Sequence, residues 1–464
     1  MAVKYLVLGN SSAACAAVDA IRENDPTGSI TMCSPEPYNA YGTPLVSYVV
    51  KGSSTLESSY IRKEEWYQRH KITRLFGPGK AGVKLDAQAH VVTLEDGTQI
   101  EYEKCLVATG SVPFTPPFKG LPEHALNRFT FLTMDKALSV NAYIAKLKEE
   151  KGADYPVKAV VIGGGLIGGK AAEGLAYRCD SVTVLEFAPR MLQAVLDDKG
   201  SAMLQDKWRE HGVTPMPGYT TELIYTNNDG TLVTGCNLVQ VKYGEDGKPY
   251  TEQVGSLECN ILITAVGVRP NSAILVEAGA EQGRGIICDR HMATSLPDVY
   301  AAGDLTSVHN TLTGGEAPLA LWPNANAQGR VAGCAMSGDM EHTYNGSFAI
   351  NAVGFFDDVS ILSCGVNPRD NEMDQYEVKL YVDEEKCQYV RFVCKDGLLY
   401  GYILMNRPDG AGIYSQVIRE RIPLSELPAD VFERPIQELD LPMYFRKRNM
   451  RKGCLLYTSD AADD

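Results

Sequence analysis

Gly163, Gly165 and Gly168 have the spacing of a turn that binds a dinucleotide. They stand between the apolar run VKAVVI and the small-residue run LIGGKAAEGLA, which predict a buried strand followed by a helix. In such a turn the first glycine permits a tight bend and the second lets the backbone approach a pyrophosphate. The third lets the helix pack closely on the strand. The N–H groups of the first helical turn then face the phosphates.

An acidic residue beyond this turn indicates which dinucleotide is expected. Glu186 stands 23 residues after Gly163, at the end of the apolar run SVTVLE. Its carboxylate would accept hydrogen bonds from ribose hydroxyls and would repel a 2′-phosphate, so the sequence predicts NADH in preference to NADPH. Arg190 could soften that repulsion, although we expect a solvated residue at a helix start there.

A degenerate version of the same motif lies near the N-terminus. Gly9, Ser11 and Ala14 follow the apolar run KYLVL, and Glu36 stands 27 residues after Gly9 as a candidate ribose partner. Alanine is accepted at the third position, but Ser11 adds a Cβ where the pyrophosphate should approach. Glu36 is alternatively a surface acid. This motif alone therefore does not establish a second nucleotide site.

The segment TSLPDVYAAGD at 294–304 points to the same kind of chemistry. The run VYAA predicts a strand that ends directly before Gly303 and Asp304. We expect Gly303 to allow a close backbone approach. Asp304 is expected to cap a following helix and to accept a hydrogen bond from a cofactor hydroxyl.

The elements that must position these residues form two similar units. Strand, glycine-bearing turn, helix and strand are predicted over 3–34 and again over 157–190, with uninterrupted apolar runs typical of parallel strands buried on both faces. A meander with turns at Asp86 and Asp96-Gly97 lies between them. After Gly338, alternating strands with a hairpin turn at Asp396-Gly397 predict an α+β region.

Composition excludes several classes of function. A chain of 464 residues exceeds what one hydrophobic core usually serves, so several domains are expected. The formal net charge of -14 disfavours nucleic-acid binding. No apolar run reaches the roughly 18 residues of a membrane span. The 12 cysteines are scattered, without the spacing of common metal sites, which predicts reduced thiols in a cytoplasmic protein and no metal centre.

Five landmarks together resemble the FAD-dependent pyridine-nucleotide oxidoreductases with two dinucleotide-binding domains, over about residues 3–440. They are the strand ending at Glu36, ATG at 108–110, GGGLIG at 163–168, GVRPN at 267–271 and AAGD at 301–304. The resemblance implies an α/β fold with two Rossmann-like domains, one for FAD and one for NAD, and a C-terminal α+β domain of the dimerisation type. The implied boundaries are 1–117 with 270–337 for FAD, 118–269 for NAD, and 338–448 for the C-terminal domain. Residues 449–464 have no regular pattern and are expected to be a disordered or non-native tail.

The same resemblance assigns residues to each cofactor. It implies that Asp304 binds the FAD ribitol, Glu36 the adenosine ribose, and Val83 the adenine through its backbone. The complete FAD set is Gly9, Ser11, Ala14, Glu36, Val83, Thr109, Gly110, Gly303 and Asp304, and the NAD set is Gly163, Gly165, Gly168, Glu186 and Gly267. ALWPNANAQGRVAG at 320–333 resembles the helix whose N-terminus faces the flavin ring, while core packing is the alternative for Trp322 and Pro323.

Two departures from the family pattern narrow the expected activity. Members that reduce disulfides or peroxides carry a redox cysteine on the helix after the Glu36 region, whereas this chain has no cysteine from 34 to 104. Lys170 stands where many relatives carry a glutamate beside the nicotinamide, so the charge at this position is reversed. The helix region and the C-terminal domain then resemble the branch that contains rubredoxin reductases, the flavin domain of nitrite reductases and the flavin subunit of phenylglyoxylate dehydrogenase.

The predicted function is that of an FAD-dependent NADH:acceptor oxidoreductase, in which hydride passes from NADH to FAD and electrons pass on to an acceptor. The expected acceptor is a small redox protein or an iron–sulfur partner subunit, and a homodimer is expected by analogy. No catalytic side chain is expected, because the cofactors carry the chemistry. The alternatives are an NADH oxidase that reduces oxygen and a redox-sensing flavoprotein scaffold.

Overall fold

The computed structural model describes residues 2–122, 124–244, 246–368 and 370–448. The predicted tail at 449–464 lies outside these residues. The chain forms two compact units, one made of residues up to 193 with 205–348, the other of 194–204 with residues from 349 onward. Within the described residues, no helix is both long enough and apolar enough to cross a bilayer.

The strands, in chain order, are β1 (Val3–Leu8), β2 (Ile30–Ser34), β3 (Ile72–Phe76), β4 (Gly82–Asp86), β5 (Val91–Leu94), β6 (Gln99–Val107), β7 (Ser111–Pro113), β8 (Arg128–Thr130), β9 (Lys158–Ile162), β10 (Ser181–Glu186), β11 (Val213–Pro217), β12 (Tyr219–Thr220), β13 (Ile224–Thr226), β14 (Val233–Tyr243), β15 (Pro249–Glu258), β16 (Ile261–Thr264), β17 (Val268–Pro270), β18 (Val299–Ala301), β19 (Val308–His309), β20 (Glu316–Ala317), β21 (Ile350–Phe355), β22 (Val359–Gly365), β23 (Glu377–Asp383), β24 (Gln388–Lys395) and β25 (Leu398–Met405). The α-helices are α1 (Ser12–Asn24), α2 (Val46–Lys51), α3 (Glu64–Arg69), α4 (Met134–Lys151), α5 (Leu166–Ala176), α6 (Asp198–Glu210), α7 (Ala273–Glu277), α8 (Trp322–Met336) and α9 (Ala411–Glu420). Short 3-10 helices span Thr43–Leu45, Glu57–Ser59, Asp370–Gln375, Leu424–Glu426 and Glu438–Asp440.

The first sheet of the larger unit is built around the N-terminal strand. Its order is β3-β2-β1-β6-β5-β4, with β18 also paired to β6. Strands β3, β2, β1, β6 and β18 are parallel, whereas β5 and β4 form the predicted antiparallel meander. Along β1, Tyr5 and Val7 join one apolar cluster while Leu6 and Leu8 join another. The prediction of a strand buried on both faces is confirmed.

A second, fully parallel sheet has the order β11-β10-β9-β16-β8. Strand β9, helix α5 and strand β10 reproduce the strand–turn–helix–strand unit predicted for 157–190. An antiparallel group of β12, β14, β13 and β15 belongs to the same unit. The α/β class with two Rossmann-like arrangements is therefore confirmed.

The smaller unit carries an antiparallel sheet in the order β21-β22-β25-β24-β23, together with α9. Lys395 pairs with Leu398 across the two-residue turn predicted at Asp396-Gly397. Both turn residues have positive φ, 51° and 72°, as a tight hairpin requires. The predicted hairpin is confirmed, while the boundaries drawn between the three domains stay a prediction.

Candidate dinucleotide sites

The first candidate site lies where four parallel strands end together. Leu8 of β1 pairs with Cys33 of β2 and with Val107 of β6, and Val107 also pairs with Ala301 of β18. The segments that follow these strands therefore meet at one sheet edge. In open α/β sheets this carboxyl edge is where ligands bind. The sequence motifs near Gly9, at 108–110 and at 301–304, nearly 300 residues apart along the chain, are thus brought together.

The turn between β1 and α1 shows why its residues are of these types. Gly9 has φ of 126°, and a Cβ there would lie 2.3 Å from the carbonyl oxygen of Ala108. Ser11 caps α1 with extended backbone and makes no side-chain cap bond, and Ala14 is fully buried. The hydroxyl of Ser12 is buried without a hydrogen-bond partner in the described structure. An unsatisfied donor at a helix start suits a phosphate oxygen.

Asp304 follows β18 at the same edge and is largely withdrawn from water. Its carboxylate accepts one hydrogen bond of 3.1 Å from the hydroxyl of Ser111. Burial raises the pKa of Asp304, and the Ser111 hydrogen bond opposes that shift. Two carboxylate oxygens accept more than one bond, so capacity remains for a ligand hydroxyl. Among the described residues no helix starts directly after Asp304, because the chain forms the strands β19 and β20 before α8 starts at Trp322. The expected capping role of Asp304 is therefore wrong.

Helix α8 holds the glycine next to Asp304 in place. The side-chain oxygen of Gln328, which is completely buried, accepts hydrogen bonds from the N–H of Gly303 at 2.7 Å and from the hydroxyl of Thr306 at 3.1 Å. Gly303 has φ of 91°, a conformation that favours glycine. Gln328 was not singled out in the sequence, because its partners lie on a different element.

Helices α1 and α8 pack closely against each other. A Cβ on Gly329 would lie 2.1 Å from the carbonyl oxygen of Ala13, and a Cβ on Gly333 would lie 2.3 Å from that of Ala17. Such distances are available only to glycine. The predicted helix at 320–333 is confirmed as α8, which has a proline in its first turn, as its missing N–H allows.

Core packing, the alternative role for Trp322 and Pro323, is absent at the start of α8 as the structure describes it. Trp322 is half-buried and Pro323 is exposed, so neither belongs to the core. A Cβ on Gly42 would come within 3.2 Å of the Trp322 ring. Trp322 therefore lies beside the loop that precedes α2.

Glu36 lies two residues beyond β2 and is not a surface acid. Both of its carboxylate oxygens are within hydrogen-bond distance of the Tyr41 hydroxyl, at 3.1 and 2.8 Å. The same hydroxyl accepts a bond from the backbone N–H of Met134, at the start of α4. Burial raises the pKa of Glu36, against the effect of the Tyr41 bond. The alternative of a free surface carboxylate is wrong.

The remaining residues of the first set have distinct placements. Val83 falls where the register of β4 shifts between Gly82 and Lys84, so it lies outside the strand pairing and is 47% exposed.

Thr109 donates to the carbonyl oxygen of Asn271 at 2.7 Å, and the N–H of Asn271 donates to the carbonyl of Gly110. Strands β7 and β17, which follow and precede these residues, pair with each other.

The second candidate site surrounds the glycine motif at the end of β9. A Cβ on Gly163 would lie 2.3 Å from the carbonyl oxygen of Ala265, and one on Gly168 would lie 1.8 Å from that of Gly163. Contacts with the chain's own backbone are sufficient to require glycine at both positions. At Gly165 no atom lies within 4 Å of the Cβ position, and φ is an ordinary -77°. The space beside Gly165 is the cradle that a pyrophosphate would fill.

Glu186 ends β10 directly beside this loop. Its carboxylate accepts a hydrogen bond from the N–H of Gly164 at 2.5 Å and another from the N–H of Ala188 at 2.8 Å. Gly267, with φ of 118° and no atom within 4 Å of a Cβ position, lies between β16 and β17. Arg190 is only 7% exposed, so the expectation of a solvated residue is wrong.

A buried charged cluster forms around Lys170 and the helix α2, where the sequence departs from the family pattern. Lys170 of α5 pairs with Glu173, which is 3% exposed, and Lys51 of α2 lies 3.8 Å from the same carboxylate. Lys170 also lies over the ring of Tyr48, and Lys51 over that of Tyr177. Burying Glu173 is tolerable because two ammonium groups face it. Lys170 thus serves to join α5 to α2.

Ten of the described cysteines have pKa values raised above that of a free thiol, unlike a redox cysteine. The helix that follows the Glu36 region is α2, with sequence VSYVVK and no cysteine. Burial raises the pKa to about 12 for Cys15, Cys33, Cys179, Cys259 and Cys288 and to about 11 for Cys236, Cys364 and Cys394, and it also raises the pKa of Cys105 and Cys334. A reactive cysteine needs the opposite shift, toward the thiolate.

Comparison with known proteins agrees with this geometry. Residues 3–329 match the model of the family described as pyridine nucleotide-disulphide oxidoreductase. The chain is 30% identical over 436 residues to the NADH-dependent phenylglyoxylate dehydrogenase subunit epsilon of Aromatoleum evansii, covering 93% of this chain and 95% of that protein. It is 28% identical to the NADH-rubredoxin oxidoreductase of Clostridium acetobutylicum, covering 78% and 81% of the two chains.

A solved structure supports the fold. The covalent complex of putidaredoxin reductase with putidaredoxin aligns with a TM-score of 0.75 at 22% identity, over 91% of this chain and 94% of that chain. The two candidate sites fit the cofactors of this family, FAD and NADH. The unsatisfied Ser12 hydroxyl and the spare acceptor capacity of Asp304 suit FAD, and the open space at Gly165 beside Glu186 suits NADH. The chain belongs to the pyridine nucleotide-disulphide oxidoreductase family and is an FAD- and NADH-dependent oxidoreductase.

Proposed function

We propose that this protein takes reducing equivalents from NADH and delivers them to a separate redox protein without using a cysteine of its own. The observation that carries the proposal is the combination of two dinucleotide-type sites in one chain with described thiols whose pKa values are raised by burial. Bound FAD supplies hydride acceptance from NADH and the release of electrons to an acceptor. The chain's own groups bind and orient the cofactors.

On the FAD side, the proposed roles follow from charge and burial. The Asp304 carboxylate accepts a hydrogen bond from a ribitol hydroxyl, and Glu36, held by Tyr41, accepts from the adenosine ribose. Val83, outside the strand pairing, offers its backbone to the adenine, and the start of α1 faces the phosphates. The proposed FAD residues are Gly9, Ser11, Ala14, Glu36, Val83, Thr109, Gly110, Gly303 and Asp304.

On the NADH side, the loop between β9 and α5 provides a phosphate site beside an acidic residue. Two backbone N–H groups already orient the Glu186 carboxylate, which keeps acceptor capacity for the ribose hydroxyls. Its negative charge disfavours a 2′-phosphate and so favours NADH over NADPH. The proposed NADH residues are Gly163, Gly165, Gly168, Glu186 and Gly267.

The proposed acceptor is a small redox protein or an iron–sulfur partner subunit. Support comes from the Aromatoleum relative, which is named as one subunit of a larger dehydrogenase, and from the Clostridium relative, which is named for rubredoxin. A homodimer, and the domain boundaries 1–117 with 270–337, 118–269 and 338–448, are further parts of this proposal.

The test compares acceptors for the FAD-loaded protein with NADH as donor. Proteins that copurify from the native cells are isolated and tested for reduction, beside dyes and dissolved oxygen. The proposal expects one copurifying redox protein to be reduced over many turnovers, much faster than oxygen. Turnover with oxygen that equals turnover with dyes would identify an oxidase instead. A partner that binds according to redox state but is never turned over would identify a scaffold.

A further inference from the structure

Three side chains that can bind a metal converge where α8 ends. They are Cys334, in the last turn of α8, and Asp339 and His342, in the segment that follows. One ligand atom from each, the thiol sulfur, a carboxylate oxygen and an imidazole nitrogen, lies within 4.8 Å of the other two. No metal centre is expected from the sequence, because its 12 cysteines are scattered without the spacing of common metal sites.

The backbone around the cluster brings the chain back onto the end of the helix. The N–H of Asp339 donates to the carbonyl oxygen of Cys334 at 2.9 Å, after Gly338 with φ of 94°. One imidazole nitrogen of His291 lies 3.2 Å from the carbonyl oxygen of His342. These contacts hold Asp339 and His342 over the Cys334 thiol, so a cation would meet ligands that are already gathered.

The two oxygens of Asp339 have separate partners. Oδ1 accepts the backbone N–H of Glu341 at 3.0 Å, while Oδ2 lies 2.8 Å from Nδ1 of His342. The side chains of Asp339 and His342 are 24% and 51% exposed, whereas Cys334 is 2% exposed. The cluster therefore has a buried sulfur and a side open to solvent, where water can complete the coordination.

The charges next to the cluster are compatible with a bound cation. Arg330, one turn before Cys334 on α8, is engaged by both carboxylate oxygens of Glu23, at 3.0 and 2.6 Å. Its positive charge is thereby offset. Zn²⁺ binds thiolate, imidazole and carboxylate in a tetrahedral set, and sites with three protein ligands keep a water as the fourth.

We propose that Cys334, Asp339 and His342 form a binding site for one Zn²⁺ ion, with water as the remaining ligand. Binding forms one metal–sulfur, one metal–nitrogen and one metal–oxygen bond, and the proton of the Cys334 thiol passes to solvent; no electron is transferred. The bound ion fastens the end of α8 to the segment at 339–342. Because it binds the folded state, it stabilises the protein.

The experiment titrates the FAD-loaded, chelator-treated protein with Co²⁺ as a spectroscopic substitute for Zn²⁺. Tetrahedral Co²⁺ gives visible bands at longer wavelengths than flavin absorbs. The proposal expects these bands to saturate at one ion per chain and to disappear when Zn²⁺ is added. Cys334→Ser and His342→Ala should each weaken binding by at least about tenfold.

His309→Ala is the matched control. His309 is also an exposed histidine beside a carboxylate, Glu316 at 3.1 Å, and it belongs to no metal-binding cluster within the described residues. This variant should bind Co²⁺ as the unaltered protein does. His342→Ala changes an exposed residue, so it tests the site even if Cys334→Ser is unstable. If both Cys334→Ser and His342→Ala bound Co²⁺ as tightly as the unaltered protein, or if the unaltered protein gave no tetrahedral bands, the proposal would be overturned.

Discussion

At the scale of single residues, the glycines of the β9–α5 loop separate two kinds of requirement. Gly163 and Gly168 are required by the chain itself, since a Cβ would collide with backbone at either position. Gly165 has no such neighbour. The three glycines are equivalent in the sequence motif. The structure distinguishes Gly163 and Gly168, which the chain's own packing requires, from Gly165, beside which the chain leaves open space.

The first prediction uses this contrast. Gly165→Ala should change the free energy of unfolding by less than about 1 kcal/mol, because its φ of -77° suits alanine while alanine is a weaker N-cap for α5 than glycine. It should nevertheless raise the KM for NADH at least about tenfold, since the methyl group occupies the phosphate cradle. Denaturant unfolding and steady-state kinetics with a dye acceptor measure the two effects.

The control for this prediction is Gly168→Ala, which should lower stability because its Cβ would lie 1.8 Å from a carbonyl oxygen. Unaltered NADH kinetics in Gly165→Ala would contradict the assignment of this loop to NADH.

The second prediction concerns Asp304. Asp304→Asn should weaken FAD binding roughly ten- to hundredfold, because a hydrogen bond to a charged group contributes a binding free energy of that size. The flavin-to-protein ratio after gel filtration measures this loss. Asp206→Asn, at a carboxylate whose side chain is 72% exposed, is the control and should retain FAD.

The raised pKa of Asp304 adds a pH dependence to the same variant. In the protein without FAD, folding disfavours the ionised carboxylate, so its cost is present above the raised pKa and disappears as pH falls below the ordinary value. FAD-free Asp304→Asn should therefore melt above the unaltered protein at neutral pH, with a difference that vanishes in acid. A difference that grows in acid would contradict the burial of this carboxylate.

At the scale of elements, the packing of α1 on α8 sets the geometry of the first site. The small residues of α1 were visible in the sequence, but their partners Gly329 and Gly333 lie more than 300 residues away. Local patterns predicted both helices correctly. They did not reveal the contact, nor the Gln328 bonds that fix Gly303. The wrong expectation of a helix after Asp304 has a similar cause, because an aspartate after a strand is a helix cap only when a helix follows.

The third prediction tests this helix pair. Gly333→Ala should lower the free energy of unfolding by about 1–3 kcal/mol, because its Cβ would lie 2.3 Å from the Ala17 carbonyl and the helices must separate. Flavin retention should fall with it. The control is Gly412→Ala in α9, where no atom lies within 4 Å of the Cβ position. It should be neutral or stabilising by up to about 1 kcal/mol. Equal stability in the two variants would contradict close α1–α8 contact.

At the scale of the whole molecule, ordered landmarks in the sequence were sufficient to predict the family and its two cofactors, FAD and NADH. They could not show the surroundings of single charges. The burial of Arg190 and the Lys51–Glu173–Lys170 cluster depend on side chains that meet only in the folded chain. The same holds for Cys334, Asp339 and His342, whose proximity no spacing rule predicts.

The fourth prediction concerns thiols across the molecule. Treating the native, FAD-loaded protein with N-ethylmaleimide should leave NADH-dependent dye reduction within about twofold of the untreated rate, because burial raises the pKa of the described thiols and keeps them protonated. The denatured protein, alkylated in parallel, confirms that the reagent is active. Loss of dye reduction with flavin reduction retained would indicate a cysteine in the electron path.

The most direct test of the central claim is an anaerobic titration of the FAD-loaded protein with NADH, followed by flavin absorbance. We expect the yellow colour to bleach fully with about one equivalent of NADH, and more slowly with NADPH, because the NADH and FAD sites lie in one chain and need no cysteine. A protein that stays yellow in excess NADH would contradict the account.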